Sequence, residues 1–154
     1  MPRASLLLLP LLLGPALLLA SEPAPACTIT ATGVSFGTYD PRSQTALDGT
    51  GSVRLDCRHN DVPSVSIATG GSGTYSSRRM ANGASLLQYN LHSTSARTSV
   101  WGNGSGGTVT VAPPITQSVG TRRIRESTIF GRIPAGQNVR AGSYSDTMFI
   151  TVTF

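Results

Sequence analysis

The segment Gly33–Gly37 (GVSFG) matches the G-x-S-x-G pattern that presents a nucleophilic serine in many hydrolases. That chemistry requires a sharp turn from a strand into a helix, followed along the chain by an acidic residue and a histidine. Here the next residues, Tyr-Asp-Pro-Arg, start no helix, and His59 and His92 show no spacing that indicates a catalytic triad. We therefore interpret the motif as a chance match and predict that the protein is not an enzyme.

No other set of residues has the spacing of a catalytic, cofactor or metal site. The chain has 7 acidic residues, and no pair of them stands out as the two carboxylates of a glycosidase. The glycine-rich runs 70–73 and 102–107 lack the lysine and the helix start of a phosphate-binding loop, so they indicate hairpin connections. The sequence predicts no cofactor and no bound metal.

Cys27 and Cys57 are the only cysteines in the chain. In an exported protein an even pair most simply forms a disulfide, and the alternative is two free or metal-bound thiols. Two cysteines with no histidine cluster make a poor metal site, so the disulfide is favoured. Closing a loop of about thirty residues contributes about 3 kcal/mol in the chain-entropy description.

The first residues of the chain predict export. Arg3 precedes a leucine-rich run of about fourteen residues, which is shorter than the roughly twenty needed to span a bilayer. Residues 1–20 are interpreted as a cleavable secretory signal, and residues 24–26 offer a second small-x-small cleavage site. No later apolar run is long enough to span, so we expect a secreted protein that is not membrane-embedded, with one domain over 27–154.

The charge of the chain indicates a solvated surface rather than a nucleic-acid site. There are 12 basic residues, all of them arginine, and the formal net charge is +5. Apart from Arg78–Arg79 and the group at 122–125 the arginines are scattered, whereas nucleic-acid-binding proteins concentrate them in a patch or stripe. We expect no nucleic-acid partner.

Short alternations of apolar and polar residues, separated by turn signals, predict an all-β fold. No window has the 3.6-residue period and the caps of a helix. About seven short strands at regular spacing indicate an immunoglobulin-like β-sandwich. The predicted strands are 27–36, 51–57, 64–69, 86–92, 108–111, 127–133 and a last strand within 142–154.

The last stretch, Gly142–Phe154, has the cleanest alternation in the chain. Threonines fall on one face, with Phe149 as the exception. The other face carries Met148, Ile150, Val152 and Phe154. No further strand follows in the sequence, so one edge of this strand is expected to be open. An apolar strand with an open edge invites pairing with another chain.

The loop over 101–107 is the candidate for ligand contact. Trp101 is either a core or loop-anchoring residue or part of an aromatic ligand platform. Asn103 begins an Asn-Gly-Ser sequence, which is formally a glycosylation sequon and is first of all a turn signal. If the loop contacts a ligand, these two residues are expected to carry the contact.

Several phrases occur together and in a fixed order along the chain. They are Cys27, Phe36–Pro41 (FGTYDP), Cys57, Arg79–Met80, Leu87–Leu91 (LQYNL), Trp101–Gly104 (WGNG), Phe130–Gln137 (FGRIPAGQ) and Gly142–Thr147 (GSYSDT). In this order they resemble the spore coat protein U domain family, which includes pilin subunits of archaic chaperone–usher systems. The resemblance covers nearly all of 27–154, and Ile129–Phe130 stands where a Val-Tyr pair is expected.

This resemblance implies an immunoglobulin-like sandwich that lacks its final strand. The open acceptor groove is filled by a strand of a periplasmic chaperone and then by an extended N-terminal segment of the next subunit. The implied protein is a structural subunit of a bacterial surface fibre or coat, with a periplasmic chaperone, an outer-membrane usher and neighbouring pilin subunits as partners. It passes through the periplasm to the cell surface. Its acceptor groove is expected to include Met148, Ile150, Val152 and Phe154.

Residues 21–26 (SEPAPA) bear on the direction of strand exchange. With cleavage after Ala20, only these residues precede Cys27, and their two prolines lack the main-chain donors that a sheet needs. We therefore expect a subunit that accepts a strand and does not donate one, as at a fibre tip. The alternatives are a stand-alone secreted coat protein and a ligand-binding adhesin that uses the loop around Trp101.

Overall fold

The structure, a computed structural model, describes residues 27–58 and 60–154. The predicted signal at 1–20, the second cleavage site at 24–26 and His59 lie outside these residues. The described residues form strands and one short 3₁₀ turn (Gly70–Ser72), with no α-helix among them, so the all-β prediction is confirmed. The strands are β1 (Cys27–Ser35), β2 (Leu47–Cys57), β3 (Ser64–Ile67), β4 (Arg78–Asn82), β5 (Ser85–His92), β6 (Ile115–Val119), β7 (Arg122–Ile133) and β8 (Ile150–Thr153).

Most of the strands predicted from alternating apolar residues are present. The strands predicted at 27–36 and 86–92 match β1 and β5, whereas β2 and β7 begin earlier than predicted. Strands β4 and β6 were not predicted, because β4 is strongly polar and every residue of β6 is exposed. The strand predicted at 108–111 is wrong, since Val109 and Val111 make only isolated bridges there.

The strands form two antiparallel sheets. The larger sheet has the order β1-β2-β7-β5-β4, with β6 also paired to β7, and β3 and β8 form the smaller sheet. The centre of the larger sheet is the long β2–β7 pair, which is in register from Leu47 opposite Ile133 to Cys57 opposite Arg123. Isolated bridges through residues 100–111 curl the chain from β5 round to β3. The result is the open, immunoglobulin-like sandwich that the sequence predicted.

Side chains from both sheets meet in one core. On β2, alternate residues point inward, as the sequence pattern predicted, and the same holds for β3 and β5. The buried cluster consists of Val53, Leu55, Cys57, Val65, Ile67, Leu87, Tyr89, Leu91, Trp101, Ile129 and Ile133. Each large apolar side chain that is fully buried contributes about 1.5–3 kcal/mol, so this cluster dominates the stability of the sandwich.

A buried arginine ties the two sheets together. Arg78 of β4 is 0% exposed, and burial lowers the pKa of its guanidinium. Its Nη2 donates to Trp101 O at 2.7 Å, its Nη1 to Asn90 Oδ1 at 2.7 Å, and its Nε to Ala68 O at 3.1 Å. Ala68 O and Trp101 O lie just outside the regular strands, and the guanidinium satisfies them without water.

A disulfide joins the first residue of β1 to the last residue of β2. Cys27 and Cys57 are bonded to one another, and no cysteine among the described residues is free. The same two residues are also opposite partners in the β1–β2 register. The predicted disulfide is therefore present, and it fastens β1, one of the outer strands of the larger sheet, at one end.

The stability of the fold is expected to depend on pH through His92. This residue is buried at the end of β5, and burial lowers its pKa below the usual 6.5. The unfolded chain then binds more protons as pH falls through about 6.5, so the free energy of unfolding decreases on acidification. We expect His92→Gln to flatten this dependence between about pH 7.5 and pH 5.5, as measured by urea unfolding.

The Asp48–Arg132 pair acts below this pH window. The hydrogen bond from Arg132 holds the pKa of Asp48 below its usual value of 3.8, so the stabilisation from that pair is lost only at lower pH. Equal slopes for the wild-type protein and His92→Gln in this window would rule out the assignment to His92.

Candidate functional site

An open groove lies between β1 and the segment that leads into β8. It consists of two adjoining cavities of about 320 and 730 Å³, whose walls share Val34, Phe36, Met80 and Tyr144. Residues from 31–36 and 144–150 border the smaller cavity, and residues from 34–41 and 139–144 border the larger one. Because the walls are shared, the two cavities are sections of one channel.

The two walls of the groove run in opposite directions. Along β1 and the turn after it, rising residue numbers lead from the smaller cavity at Ala31 to the larger cavity at Tyr39. Along the C-terminal wall they lead from the larger cavity at Val139 to the smaller cavity at Ile150. A strand lying in the groove is therefore parallel to one wall and antiparallel to the other, and main-chain hydrogen bonds form in both arrangements.

The floor of the groove is the hydrophobic core. The buried residues Ile67, Leu91 and Ile129 line the smaller cavity, and Leu87 and Ile133 line the larger one. No strand among the described residues covers the core on this side. An apolar concavity of this kind is a favourable surface for apolar side chains of a partner.

Strand edges on both sides of the groove are unpaired among the described residues, because β1 pairs only with β2 and β8 only with β3. Val65 lies opposite Val152 but exchanges its main-chain hydrogen bonds with Val111, at 2.7 and 3.0 Å. Val152 therefore directs its main-chain groups away from β3, and Ile150, two residues earlier, does the same. Both residues present a donor and an acceptor to the open edge.

Polar contacts hold the C-terminal wall in place. Asp146 accepts hydrogen bonds from Tyr89 Oη at 2.8 Å and from Gly71 N at 3.0 Å. Burial, reinforced by this carboxylate, raises the pKa of Tyr89 far above its usual value, so its hydroxyl remains a donor. Ser145 exchanges two main-chain hydrogen bonds with Ala81 of β4. The wall is thus fixed to β4 and β5 of the larger sheet and to the 3₁₀ turn before any partner binds.

The residues predicted for the groove lie in three different environments. Met148 and Ile150 line the smaller cavity. Val152 packs against the core without lining either cavity, and Phe154 is 62% exposed outside both cavities. The opposite wall at 31–36 was not predicted, and its only local signal is a run of mostly small residues in a predicted strand.

Trp101 is a core residue. Its side chain is 0% exposed, and its Nε1 donates to Val65 O at 3.0 Å. Direct contact between Trp101 and a ligand is incompatible with this burial, so the tryptophan anchors the loop, which was the alternative interpretation. Asn103 is exposed, and its Oδ1 accepts hydrogen bonds from the main chain and the hydroxyl of Ser105.

Within residues 27–58 and 60–154, the serine, histidine and acidic side chains do not come together in a catalytic arrangement. Ser35 ends β1, and no helix follows it. Nδ1 of His92 lies 3.3 Å from the main-chain oxygen of Phe130. No group of three or more His, Cys, Asp or Glu side chains in this part of the chain could hold a metal ion.

None of the helical segments in the described part of the chain has the length and apolar character required to cross a membrane.

A solved structure shares this architecture. It is the crystal structure of the CsuC–CsuE chaperone–tip adhesion subunit pre-assembly complex from archaic chaperone-usher Csu pili of Acinetobacter baumannii. The TM-score is 0.57 at 22% sequence identity, and the match covers 83% of this chain and 39% of that chain. At this identity the likeness establishes the fold.

Sequence comparisons establish the family. Protein U of Myxococcus xanthus is 36% identical over 137 residues, which cover 79% of this chain and 71% of that protein. The family model described as Spore Coat Protein U domain matches residues 16–151. The chain therefore belongs to the Spore Coat Protein U domain family.

Proposed function

We propose that the groove accepts an extended strand from another protein and that the chain acts as an assembled subunit of a bacterial surface fibre or coat. The observation that carries this proposal is the apolar core lying uncovered between two unpaired strand edges. A strand added there gains main-chain hydrogen bonds at Ile150 and Val152, and its alternate side chains enter the two cavities.

The strand has two proposed sources, a periplasmic chaperone during export and a neighbouring subunit after assembly at an outer-membrane usher. The proposal rests on the groove, on the disulfide, which suits an oxidising compartment, and on the family. It places the mature domain, residues 27–154, at the cell surface after removal of a signal peptide ending at residue 20 or by residue 26.

The direction of strand exchange is part of the proposal. Residues 21–26 contain Pro23 and Pro25 and no alternation of large apolar side chains. Such a segment has too few main-chain donors and anchors to fill a groove like this one. We therefore propose that the subunit accepts a strand and does not donate one.

Strand acceptance is tested with a synthetic peptide whose apolar residues alternate. We expect it to bind and to raise the unfolding midpoint, because a ligand that binds only the folded state adds about 2.7 kcal/mol at a hundredfold excess over Kd. A scrambled peptide of the same composition is the control. If both peptides stabilise equally, or neither does, the groove does not accept a strand.

The direction of exchange has its own experiment. The purified protein is mixed with a second family subunit held by its chaperone, and displacement of that chaperone is followed by gel filtration. We expect none through the N-terminus of this protein. Displacement that disappears when residues 21–26 are deleted would show that the subunit also donates.

Two alternatives remain within the same family. A stand-alone secreted coat protein would be stable without a partner strand. The alternating peptide would then stabilise it no more than the scrambled peptide does. An adhesive role would rest on the exposed loop at Asn103 rather than on Trp101, which is buried. Replacing Asn103 by Ala would then reduce adhesion while assembly continues.

A further inference from the structure

Charge is distributed unevenly along the groove. Arg140 is the one charged residue among those lining the larger cavity, and Asp146 is the one charged residue lining the smaller cavity. Tyr144, which lines both cavities, lies between them in the sequence. The channel therefore has a positive end and a negative end.

The two charges differ in what they already bind. Both carboxylate oxygens of Asp146 accept hydrogen bonds, from Tyr89 and from Gly71. The main chain of Arg140 is held by Tyr144, whose Oη donates to Arg140 O at 2.8 Å. Its side chain is exposed and makes no hydrogen bond or ion pair with the described residues. Arg140 thus offers a guanidinium that has no partner among the described residues, on an anchored main chain, to a carboxylate from outside.

Apolar cavities alone do not fix the register of an added strand. Because side chains alternate with a period of two, a shift by two residues returns apolar side chains to the same face. A charge at one end of the groove distinguishes registers that differ by two residues, since opposite charges attract and like charges placed together repel. A guanidinium is well suited to this task because its planar donors pair with a carboxylate in a defined geometry.

Resting on the proposed strand acceptance, we propose that the accepted segment carries an Asp or Glu side chain at the Arg140 end of the groove. Its remaining inward side chains are apolar, and no acidic side chain lies at the Asp146 end. Arg140 thereby selects both the partner and the direction in which the segment lies.

The test uses three alternating peptides with blocked termini: one neutral, one with Asp near its N-terminal end and one with Asp near its C-terminal end. We expect one acidic peptide to bind about fivefold more tightly than the neutral peptide at low salt. The other acidic peptide is expected to bind no more tightly than the neutral peptide. The advantage is expected to disappear in Arg140→Gln and to shrink at about 1 M salt.

The control variant is Arg79→Gln. Arg79 is exposed on β4 and points to the face opposite Met80, so its loss changes the net charge equally without altering the groove. The role of Arg140 is overturned if the acidic peptide still binds Arg140→Gln more tightly than the neutral peptide does. It is also overturned if Arg140→Gln and Arg79→Gln lose this difference in affinity equally. Equal binding of all three peptides overturns this inference alone, whereas failure of the neutral peptide to bind overturns the proposed function as well.

Discussion

Replacing Ile150 by Asp is expected to abolish stable capture of a partner strand. Ile150 lines the smaller cavity and presents its main chain to the open edge of β8. A strand that covers this position would bury the new carboxylate without a partner, at a cost of about 3 kcal/mol or more. That corresponds to a loss of affinity of about a hundredfold, measured by titration with the alternating peptide.

The matched control is Thr151→Asp. Thr151 is the next residue of β8, its side chain is exposed on the opposite face, and it does not line the groove. This variant carries the same charge on the same strand, so it is expected to bind the peptide nearly as well as the wild-type protein. Equal losses in the two variants would show that the effect is not due to the groove.

Ala31→Asp separates strand capture from folding. Ala31 lines the opposite wall and is exposed in the free protein, so a carboxylate there stays hydrated until a strand covers it. We expect a normal free energy of unfolding together with a loss of peptide affinity of at least about tenfold. Thr30→Asp, exposed on the other face of β1, is expected to leave the affinity unchanged.

Loss of the Cys27–Cys57 disulfide is expected to have the second large effect. The bond closes a loop with a sequence separation of 30, so replacing both cysteines by Ala should lower the free energy of unfolding by about 3 kcal/mol. Because β1 pairs only with β2 among the described residues, its end should also fray, and peptide affinity should fall. Urea unfolding and peptide titration measure the two effects.

Reduction provides the control for this prediction. The wild-type protein should shift to a lower unfolding midpoint when a thiol reductant is added, while the double alanine variant should not respond. If the double variant and the oxidised wild-type protein unfold at the same denaturant concentration, the disulfide does not stabilise the fold.

The sequence predicted the parts of the fold that depend on local alternation. Val53, Leu55 and Cys57 point inward as expected, because the period of a strand assigns alternate side chains to one face. The strand β6 was missed for the same reason, since both of its faces are exposed and its side chains carry no alternation.

The sequence could not predict which distant segments form the groove. Met148 and Ile150 were expected to line it, but their opposite wall, around Ala31 and Val34, is set by the sheet order and not by local pattern. Trp101 was ambiguous for a related reason. Its loop has the composition of an exposed turn, while the hydrogen bond from its indole to Val65 O holds the ring in the core.

Amide hydrogen exchange at Ile150 and Val152 tests the acceptor groove most directly. In the free protein these amides face the open edge and should exchange rapidly, while the amide of Thr151 is protected by β3. Saturating alternating peptide is expected to slow exchange at Ile150 and Val152 by at least about tenfold and to leave Thr151 nearly unchanged. Unchanged exchange at both residues under saturation would contradict the addition of a strand at this edge.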